Sequence, residues 1–487
     1  MPKDTTNHNI LEERGLFWLQ NKTIKNEKPL QDSAVEGVLK IGNEGLITLD
    51  LDSDLFDRSV IKDNISNNAE PFELNIGICG LLKDYRKRIY LSKITFYYST
   101  RNFRAQNCLV GTDDFPIGCE EFKIVELRVN LKGFERWLWL DAIKYFATDE
   151  KISVTYESVK SERYDIPGAK LSIEYDISVD ANMLELNNIT LTQTAELVYA
   201  PILPSIMDVM KNKFHRIQDL FILLTDSEYS IEWPVLRLLE NEKIYTYYFS
   251  RSRNTSPPPE RHGSCINFHK TRENFGNIFS AWDEKFKIFG SAFYSYLSTR
   301  RGILIYIENR FTSLVGGIET FHRRKYPAAP ISDKLSQKIQ GIHDNLSNSD
   351  DKRWFKQILK RAHIAEPPLS KRILETLQAI PIDLDKQKLQ FFSESCANRR
   401  NDIAHFTGQR EHGDNEQFYD ELNIKNEALS YLYHALLLHE IGIDKTALNA
   451  WMYESFGSYH IKEALVKAEL LDKSALEFKA IETPGVI

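Results

Sequence analysis

The spacing of hydrophobic residues changes once along the chain, and this change limits the fold more than any other feature of the sequence. Up to about residue 200, apolar and polar residues alternate in short runs that are separated by turn-forming residues. The clearest run is Leu171, Ile173, Tyr175, Ile177 and Val179. Alternation of this kind predicts antiparallel strands that bury one face and leave the other in water.

Beyond Pro204 the apolar residues recur at every third or fourth position, which predicts amphipathic helices. The first helix is predicted from Ile206, Met207, Met210, Phe214, Ile217, Leu220, Phe221 and Leu224. A chain of 487 residues is too long for one ordinary hydrophobic core. We therefore predict a multidomain α+β protein, in which a β-rich, antiparallel and sandwich-like N-terminal region precedes an all-α C-terminal region.

These patterns predict three segments. Residues 1–203 form the β-rich domain, residues 204–262 form a connector with a helix, a strand pair and a Pro-rich linker, and residues 263–487 form the helical domain. The linker at residues 251–263 carries three consecutive prolines, which favour an extended connection. Its three arginines, Arg251, Arg253 and Arg261, are expected to be solvated.

The composition argues against several classes of protein. The net charge is −7, so RNA binding would need a local basic patch. The five cysteines show no C-x-x-C pairing, so no structural metal or disulfide framework is expected, and the cytoplasm is the expected location. We expect neither a secretory signal nor a membrane span, because no apolar run is long enough, and we expect no cofactor.

Two tryptophans, Trp137 and Trp139, lie two residues apart in a segment that we expect to be a strand. On a strand they would point to the same side and offer a stacking platform for a base or a sugar. Core packing is the alternative, and we favour it because aromatic residues commonly fill cores.

An arginine, an amide and a histidine lie close together in residues 395–406, SCANRRNDIAHF. Asn401 and His405 are four residues apart and would share one face of a helix. Arg400 lies one position off that face, but its long side chain can swing toward a phosphate beside His405. Histidine moves protons near neutral pH, whereas arginine keeps its proton and stabilises charge on phosphate oxygens. This spacing favours RNA cleavage without a metal.

The segment Arg400-Asn401-x-x-x-His405 resembles the arginine–polar–x-x-x–histidine signature of HEPN domains. With its wider layout, the chain is similar to the Apea-type HEPN proteins of bacterial anti-phage defence. The resemblance implies an all-helical HEPN bundle that forms a homodimer and cleaves RNA, with transfer RNA as a candidate substrate. It also implies that the β-rich region is a sensor or regulator, and that a phage-derived trigger is a candidate partner.

The resemblance assigns catalysis to Arg400, Asn401 and His405. His405 would act as general base or acid, while Arg400 and Asn401 would stabilise negative charge. Glu319 would orient Arg400 or Asn401, or form a salt bridge of its own. The full set of residues with predicted supporting or substrate-binding roles is Glu319, Arg323, Arg399, Asp402, Arg410 and His412.

Functions from two classes are compatible with the sequence. The first is a HEPN endoribonuclease that acts in abortive-infection defence. The second is a HEPN module that binds nucleic acid or protein without cutting it and is joined to a ligand-binding β domain. The presence of both Arg400 and His405 favours the enzyme, because each supplies a group that the chemistry needs.

Overall fold

The computed structural model describes residues 9–20, 34–56, 71–74, 76–83, 86–97, 99–116, 121–181, 189–252, 256–260, 264–301, 305–327, 333–361, 366–405, 415–455 and 457–477. The chain divides into two compact units, Met1–Gly276 and Asn277–Ile487. The first unit is β-rich and the second is helical, which confirms the predicted fold class. The predicted segment boundaries at residues 203 and 262 stay predictions. No described helix combines the length and the apolar character that crossing a membrane requires.

The first unit consists mainly of antiparallel strands. In the described part of the chain they are β1 (Leu11–Leu19), β2 (Val35–Ile41), β3 (Ile47–Leu51), β4 (Phe72–Leu74), β5 (Ile78–Leu82), β6 (Arg88–Phe96), β7 (Asn102–Gly111), β8 (Ile124–Asn130), β9 (Ile143–Ala147), β10 (Ile152–Tyr156), β11 (Glu162–Ile166), β12 (Ala169–Ala181), β13 (Ile189–Pro201), β14 (Val235–Leu238) and β15 (Ile244–Phe249). Three helices accompany them, namely α1 (Glu135–Leu138), α2 (Met207–Thr225) and α3 (Phe268–Thr271).

Six of these strands close into an antiparallel barrel. The order around the ring is β1, β2, β3, β7, β6 and β5, and β5 pairs again with β1. Closure depends on β7, which is long enough to pair with β3 at one end, with β15 at the other, and with β6 along its opposite edge. The hydrophobic core of the barrel includes Phe17, Leu39, Leu49, Ile89 and Leu91. The antiparallel strands were predicted, but they form one main sheet that closes on itself and not two facing sheets.

From β15 the same sheet continues through β14, β8, β13 and β12 to β11. β12 and β13 pair along their whole length, from Ala169↔Pro201 to Ala181↔Ile189. Leu171 and Ile173 are buried, as their alternation with polar residues predicted. The predicted helix after Pro204 is α2, and its apolar stripe is buried.

The prediction of a strand at Trp137 and Trp139 is wrong. Trp137 lies in the short helix α1, it is buried, and its indole Nε1 donates to the carbonyl of Ile266 at 2.7 Å. Trp139 follows in a left-handed conformation with φ 61° and contacts the ring of His269. The favoured core role is confirmed for Trp137, and the two indoles do not share one face of a strand.

The expectation of solvated linker arginines is wrong for Arg251. This side chain is buried, donates from Nη2 to the carbonyl of Ile231 at 2.9 Å, and lies 4.0 Å from the centre of the Trp233 ring. A guanidinium retains favourable interactions in such a place because it stacks on an aromatic face while it donates to a carbonyl. Arg253 and Arg261 lie outside the described residues.

The second unit is helical in its described part. Its helices are α4 (Phe275–Leu297, which begins at the end of the first unit), α5 (Ile307–Lys325), α6 (Asp333–Asn345), α7 (Ser349–Arg361), α8 (Leu369–Gln378), α9 (Lys386–His405), α10 (Asn415–Glu440), α11 (Lys445–Asn449) and α12 (Ser458–Lys467), with a π-helical turn at Ala450–Glu454. Helices α8 and α9 pack side by side, and both also pack on α5.

The centre of this unit is the contact between α4, α5 and α10. Phe289 of α4 stacks on Phe321 of α5 with 4.4 Å between ring centres. Tyr433 of α10 donates to the carbonyl of Ala292 in α4 at 2.8 Å. Gly317 of α5 sits beside this tyrosine, and a Cβ there would lie 2.6 Å from the phenol oxygen. The three helices therefore approach closely at a position that requires glycine.

Candidate functional site

The predicted motif lies at the C-terminal end of α9. The helix begins after Asp385, whose carboxylate accepts hydrogen bonds from the backbone N–H groups of Gln387 and Lys388 at 2.9 and 2.8 Å. Its buried side chains repeat at helical spacing and are Leu389, Phe392, Ser393, Cys396 and Ala397. Because no described residue of α9 after Ala397 is buried, the last two turns of the helix leave the core.

Arg400, Asn401 and His405 occupy these last turns. Arg400 is half-buried, whereas Asn401 and His405 are exposed. Asn401 and His405 are one turn apart, about 6 Å along the helix axis. Arg400 Nη1 donates to Asn401 Oδ1 over 3.5 Å, which is a weak bond. Neither Arg400 nor His405 pairs with a carboxylate among the described residues, so both side chains are available to a phosphate.

The adjacent Arg399 is held in a cluster of charged side chains. Its guanidinium donates to Glu421 of α10 at 2.5 and 3.1 Å and to Asp402 at 3.1 Å, and it lies over the ring of Phe418. Burial works against the charged form of Glu421, but the hydrogen bonds from Arg399 and the charge of Lys425 outweigh it and lower the pKa of this carboxyl. Arg399 therefore joins α9 to α10 as a structural ion pair.

Glu319 and Arg323 lie in a second charged cluster, between α5 and the start of α8. Glu319 accepts from Arg372 at 2.6 Å and pairs with Arg323 at 3.2 Å. Arg372 and Arg323 both reach Glu366, at 2.6 and 3.1 Å. The hydrogen bonds of Glu319 among the described residues go to this cluster and not to Arg400 or Asn401. The orienting role predicted for Glu319 has no direct contact to support it, whereas its alternative, a salt bridge, is observed.

The other predicted site residues add little to the geometry. Arg410 and His412 lie in residues 406–414, outside the described residues. Burial raises the pKa of the Cys396 thiol, one helical turn before Arg400, to about 12, so this thiol stays protonated at neutral pH. Within the described ranges, no group of three or more His, Cys, Asp or Glu side chains is arranged to hold a metal ion.

Two family models match the chain. The model of the ApeA N-terminal domain 1 matches residues 12–282, which is more than half of the chain, and the model of the Apea-like HEPN domain matches residues 312–447. The chain belongs to the ApeA-type HEPN proteins. It matches no curated protein and no solved structure.

The two family matches cover different parts of the chain. The ApeA N-terminal match covers the barrel and the sheet that extends from it, and the Apea-like HEPN match contains every residue predicted for the site. The HEPN family suggests a ribonuclease or defence role, and its members typically bind RNA and dimerise.

Sequence reasoning missed the partners that fix the two charged clusters. Glu421 is separated from Arg399 by 22 positions, and Arg372 is separated from Glu319 by 53. A local signal for Glu421 is Lys425, four residues later, which pairs with it at 3.6 Å. Nothing in the sequence near Arg372 indicates that it is buried, because its partners come from another helix and from the segment before α8.

Proposed function

We propose that this ApeA-type protein is a metal-independent endoribonuclease whose site is formed by Arg400, Asn401 and His405. The observation that carries the proposal is the contrast between Arg399 and its neighbours at the end of α9. Arg399 is neutralised by Glu421 and Asp402, whereas Arg400 and His405 have no carboxylate partner among the described residues. An arginine and a histidine that are accessible and unpaired are suited to bind a phosphodiester.

The proposed reaction is an attack of the ribose 2′-oxygen on the adjacent phosphorus. His405 accepts the proton of the 2′-hydroxyl, the new oxygen–phosphorus bond forms, and the bond to the 5′-oxygen breaks. Arg400, with Asn401, stabilises the negative charge on the non-bridging oxygens. The leaving 5′-oxygen takes up a proton from a second, protonated histidine, so the products are a 2′,3′-cyclic phosphate and a 5′-hydroxyl. Every group in this step is supplied by the chain or by the RNA.

One copy of the chain supplies one histidine at the motif, whereas the reaction moves one proton off the 2′-oxygen and another onto the 5′-oxygen. Among the described residues, Asn401 and His405 at the end of the helix also face solvent. A second copy that brings its own α9 to the same cleft would supply the second histidine and exclude water. We therefore propose a homodimer through the helical unit as the active form.

The biological setting belongs to the same proposal. A free ribonuclease harms the cell that makes it, so a large region outside the HEPN domain is expected to restrain it. We assign this restraint to the β-rich unit, with release by a phage-derived trigger in abortive-infection defence. Transfer RNA is the proposed substrate. The family's suggested ribonuclease and defence roles support this assignment.

Replacing His405 with alanine is expected to abolish RNA cleavage and to leave the fold intact, because the side chain is exposed. The purified full chain is incubated with total RNA in the presence of a chelator, and the end groups of the fragments are mapped. His460→Ala is the matched control, since His460 is an exposed histidine on α12. Full cleavage by the His405→Ala protein would remove this residue from the mechanism. RNA that is bound but never cut by the wild-type chain would support the non-catalytic HEPN module instead.

A further inference from the structure

Helices α6 and α7 form a segment between α5 and α8, Asp333–Arg361, which we call the insertion and whose described side chains add nothing to the core of the helical unit. None of its described side chains is buried, although every other helix longer than five residues in this unit buries part of one face. It nevertheless exposes large apolar side chains, with Trp354 63% exposed and Ile342 51% exposed. An exposed tryptophan on a helix that is not needed for packing indicates a binding surface.

The charge of the insertion is opposite to that of the chain. It contains seven Lys and Arg residues against four Asp residues, whereas the whole chain has a net charge of −7. The asymmetry is greatest in residues 352–361, KRWFKQILKR, which hold five basic residues and no acidic one. Arg353 and Lys356 are exposed there. The only salt bridge of Arg353 to a described residue is with Asp350 at 3.9 Å, and both side chains are more than three-quarters exposed, so an anionic ligand can replace it.

The insertion joins the helical unit at the end that carries the motif. It runs from the end of α5 to the start of α8, and these two points are held together by Arg323–Glu366 at 3.1 Å and Arg372–Glu319 at 2.6 Å. A short connection, residues 379–385, makes α8 and α9 antiparallel neighbours. Since α9 is about 30 Å long and α8 about 15 Å, the end of α9 extends past the start of α8. Arg400 and His405 therefore lie toward the two points where the insertion leaves and rejoins the bundle.

We propose that the α6–α7 insertion binds the single-stranded part of the RNA substrate, with a base stacked on Trp354 and phosphates at Arg353 and Lys356. This inference rests on the proposed ribonuclease function and names the surface that holds the RNA next to the cleavage site. Around the axis of α7, Arg353 and Lys356 lie about 60° apart and Trp354 lies about 100° from Arg353, so an RNA strand that crosses the helix can place phosphates on the cations and a base on the indole. Stacking makes no hydrogen bonds to the edges of the base, so we expect binding to depend little on the RNA sequence.

The test uses the full chain with His405→Ala, so that RNA is bound without being cut. Binding of a short fluorescein-labelled single-stranded RNA is followed by fluorescence anisotropy at several salt concentrations. Trp354→Ala is expected to weaken binding at least about fivefold, and Trp354→Phe to restore most of it. Arg353→Gln with Lys356→Gln is expected to lower the slope of log affinity against log salt by about 1.4. Tyr306→Ala, an exposed aromatic at the opposite end of α5, is the control and is expected to change nothing.

The outcomes separate this inference from the function on which it rests. If Arg400→Ala weakens RNA binding and Trp354→Ala does not, the insertion does not hold RNA and the inference is wrong, while the ribonuclease proposal stands. If the His405→Ala parent does not bind RNA and the wild-type chain neither binds nor cuts it, both proposals fail. Trp354-dependent binding to anionic phospholipid vesicles without any effect on RNA would make the insertion a membrane contact. Conversion of a dimer to a monomer by Trp354→Ala, with RNA affinity per site unchanged, would make it a contact between copies.

Discussion

At the scale of single residues, two adjacent arginines show how the surroundings give the same type of side chain two different roles. Arg399 lies toward α10, where Glu421 and Asp402 fix its guanidinium. Arg400 is rotated by about 100° around the same helix and has no acidic partner among the described residues. A fixed arginine adds stability, whereas an unpaired one beside a histidine is available for a substrate. The same residue type therefore serves structure at one position and the proposed chemistry at the next.

Replacing Glu421 with glutamine is expected to destabilise the helical unit by about 1 kcal/mol at neutral pH, because charged hydrogen bonds contribute about 1.5–3 kcal/mol and partial exposure weakens them. The pKa of Glu421 is lowered in the folded chain, so this stabilisation is present above the pKa of the unfolded chain, about 4.3, and is lost as the pH falls through the folded value. Urea unfolding at pH 7 and at about pH 3 measures the difference between the two proteins. Asp420→Asn, at an exposed neighbouring position, is the control. An equal difference at both pH values would contradict this assignment.

At the scale of elements, α9 is defined at its two ends by different interactions. Asp385 caps its beginning, while Arg399 ties its last turns to α10. The core contacts stop at Ala397, so the end of α9 is positioned by this one charged cluster in the described structure. Helix α5 is different, because it is buried along most of its length and contributes Gly317 to the tightest contact of the helical unit.

Adjacent glycines in α5 are expected to respond in opposite directions to alanine. A Cβ at Gly317 would lie 2.6 Å from the Tyr433 phenol oxygen and 2.8 Å from the Ser295 Cβ, so Gly317→Ala should destabilise the helical unit by about 1–3 kcal/mol. At Gly316 an added Cβ would meet no atom within 4 Å. Because alanine favours the helix more than glycine does, Gly316→Ala should stabilise the helix by up to about 1 kcal/mol. Thermal unfolding of the two variants measures both effects. Equal shifts of the same sign would show that α4, α5 and α10 are not packed as described.

At the scale of the whole molecule, the chain combines a closed barrel that extends into an open sheet with a helical bundle that carries an exposed motif. In the closed ring each of the six strands pairs with two neighbours, which reduces the strand edge that these six offer to other chains. In the described part of the bundle, Asn401 and His405 at the end of α9 face solvent and Arg400 is half-buried. The proposed dimer completes the molecule at this point, and it makes activity depend on both copies.

Mixing experiments are expected to show this dependence. When the His405→Ala protein is added in excess to the wild type, mixed dimers carry one histidine, so cleavage per wild-type chain should fall severalfold. The rate of RNA cleavage is measured at a fixed amount of wild type and increasing amounts of variant. The same addition of a folded His405→Ala protein that also carries changes abolishing dimerisation should have no effect. A rate that stays constant across all mixtures would show that each chain acts alone.

Much of this architecture follows from the sequence by itself. Period-two alternation indicated the strands, helical spacing indicated α2 and the C-terminal helices, and the spacing of Asn401 and His405 placed them on one helical face, because these periods are set by local backbone geometry. A local sequence pattern does not show which strands pair with each other or which charged side chains form ion pairs. Only the tertiary structure determined that β7 closes a barrel, that Arg251 is buried against Trp233, and that Glu319 pairs with Arg372 while Arg399 pairs with Glu421. Each of these depends on residues that are distant in sequence and become neighbours only when the chain packs.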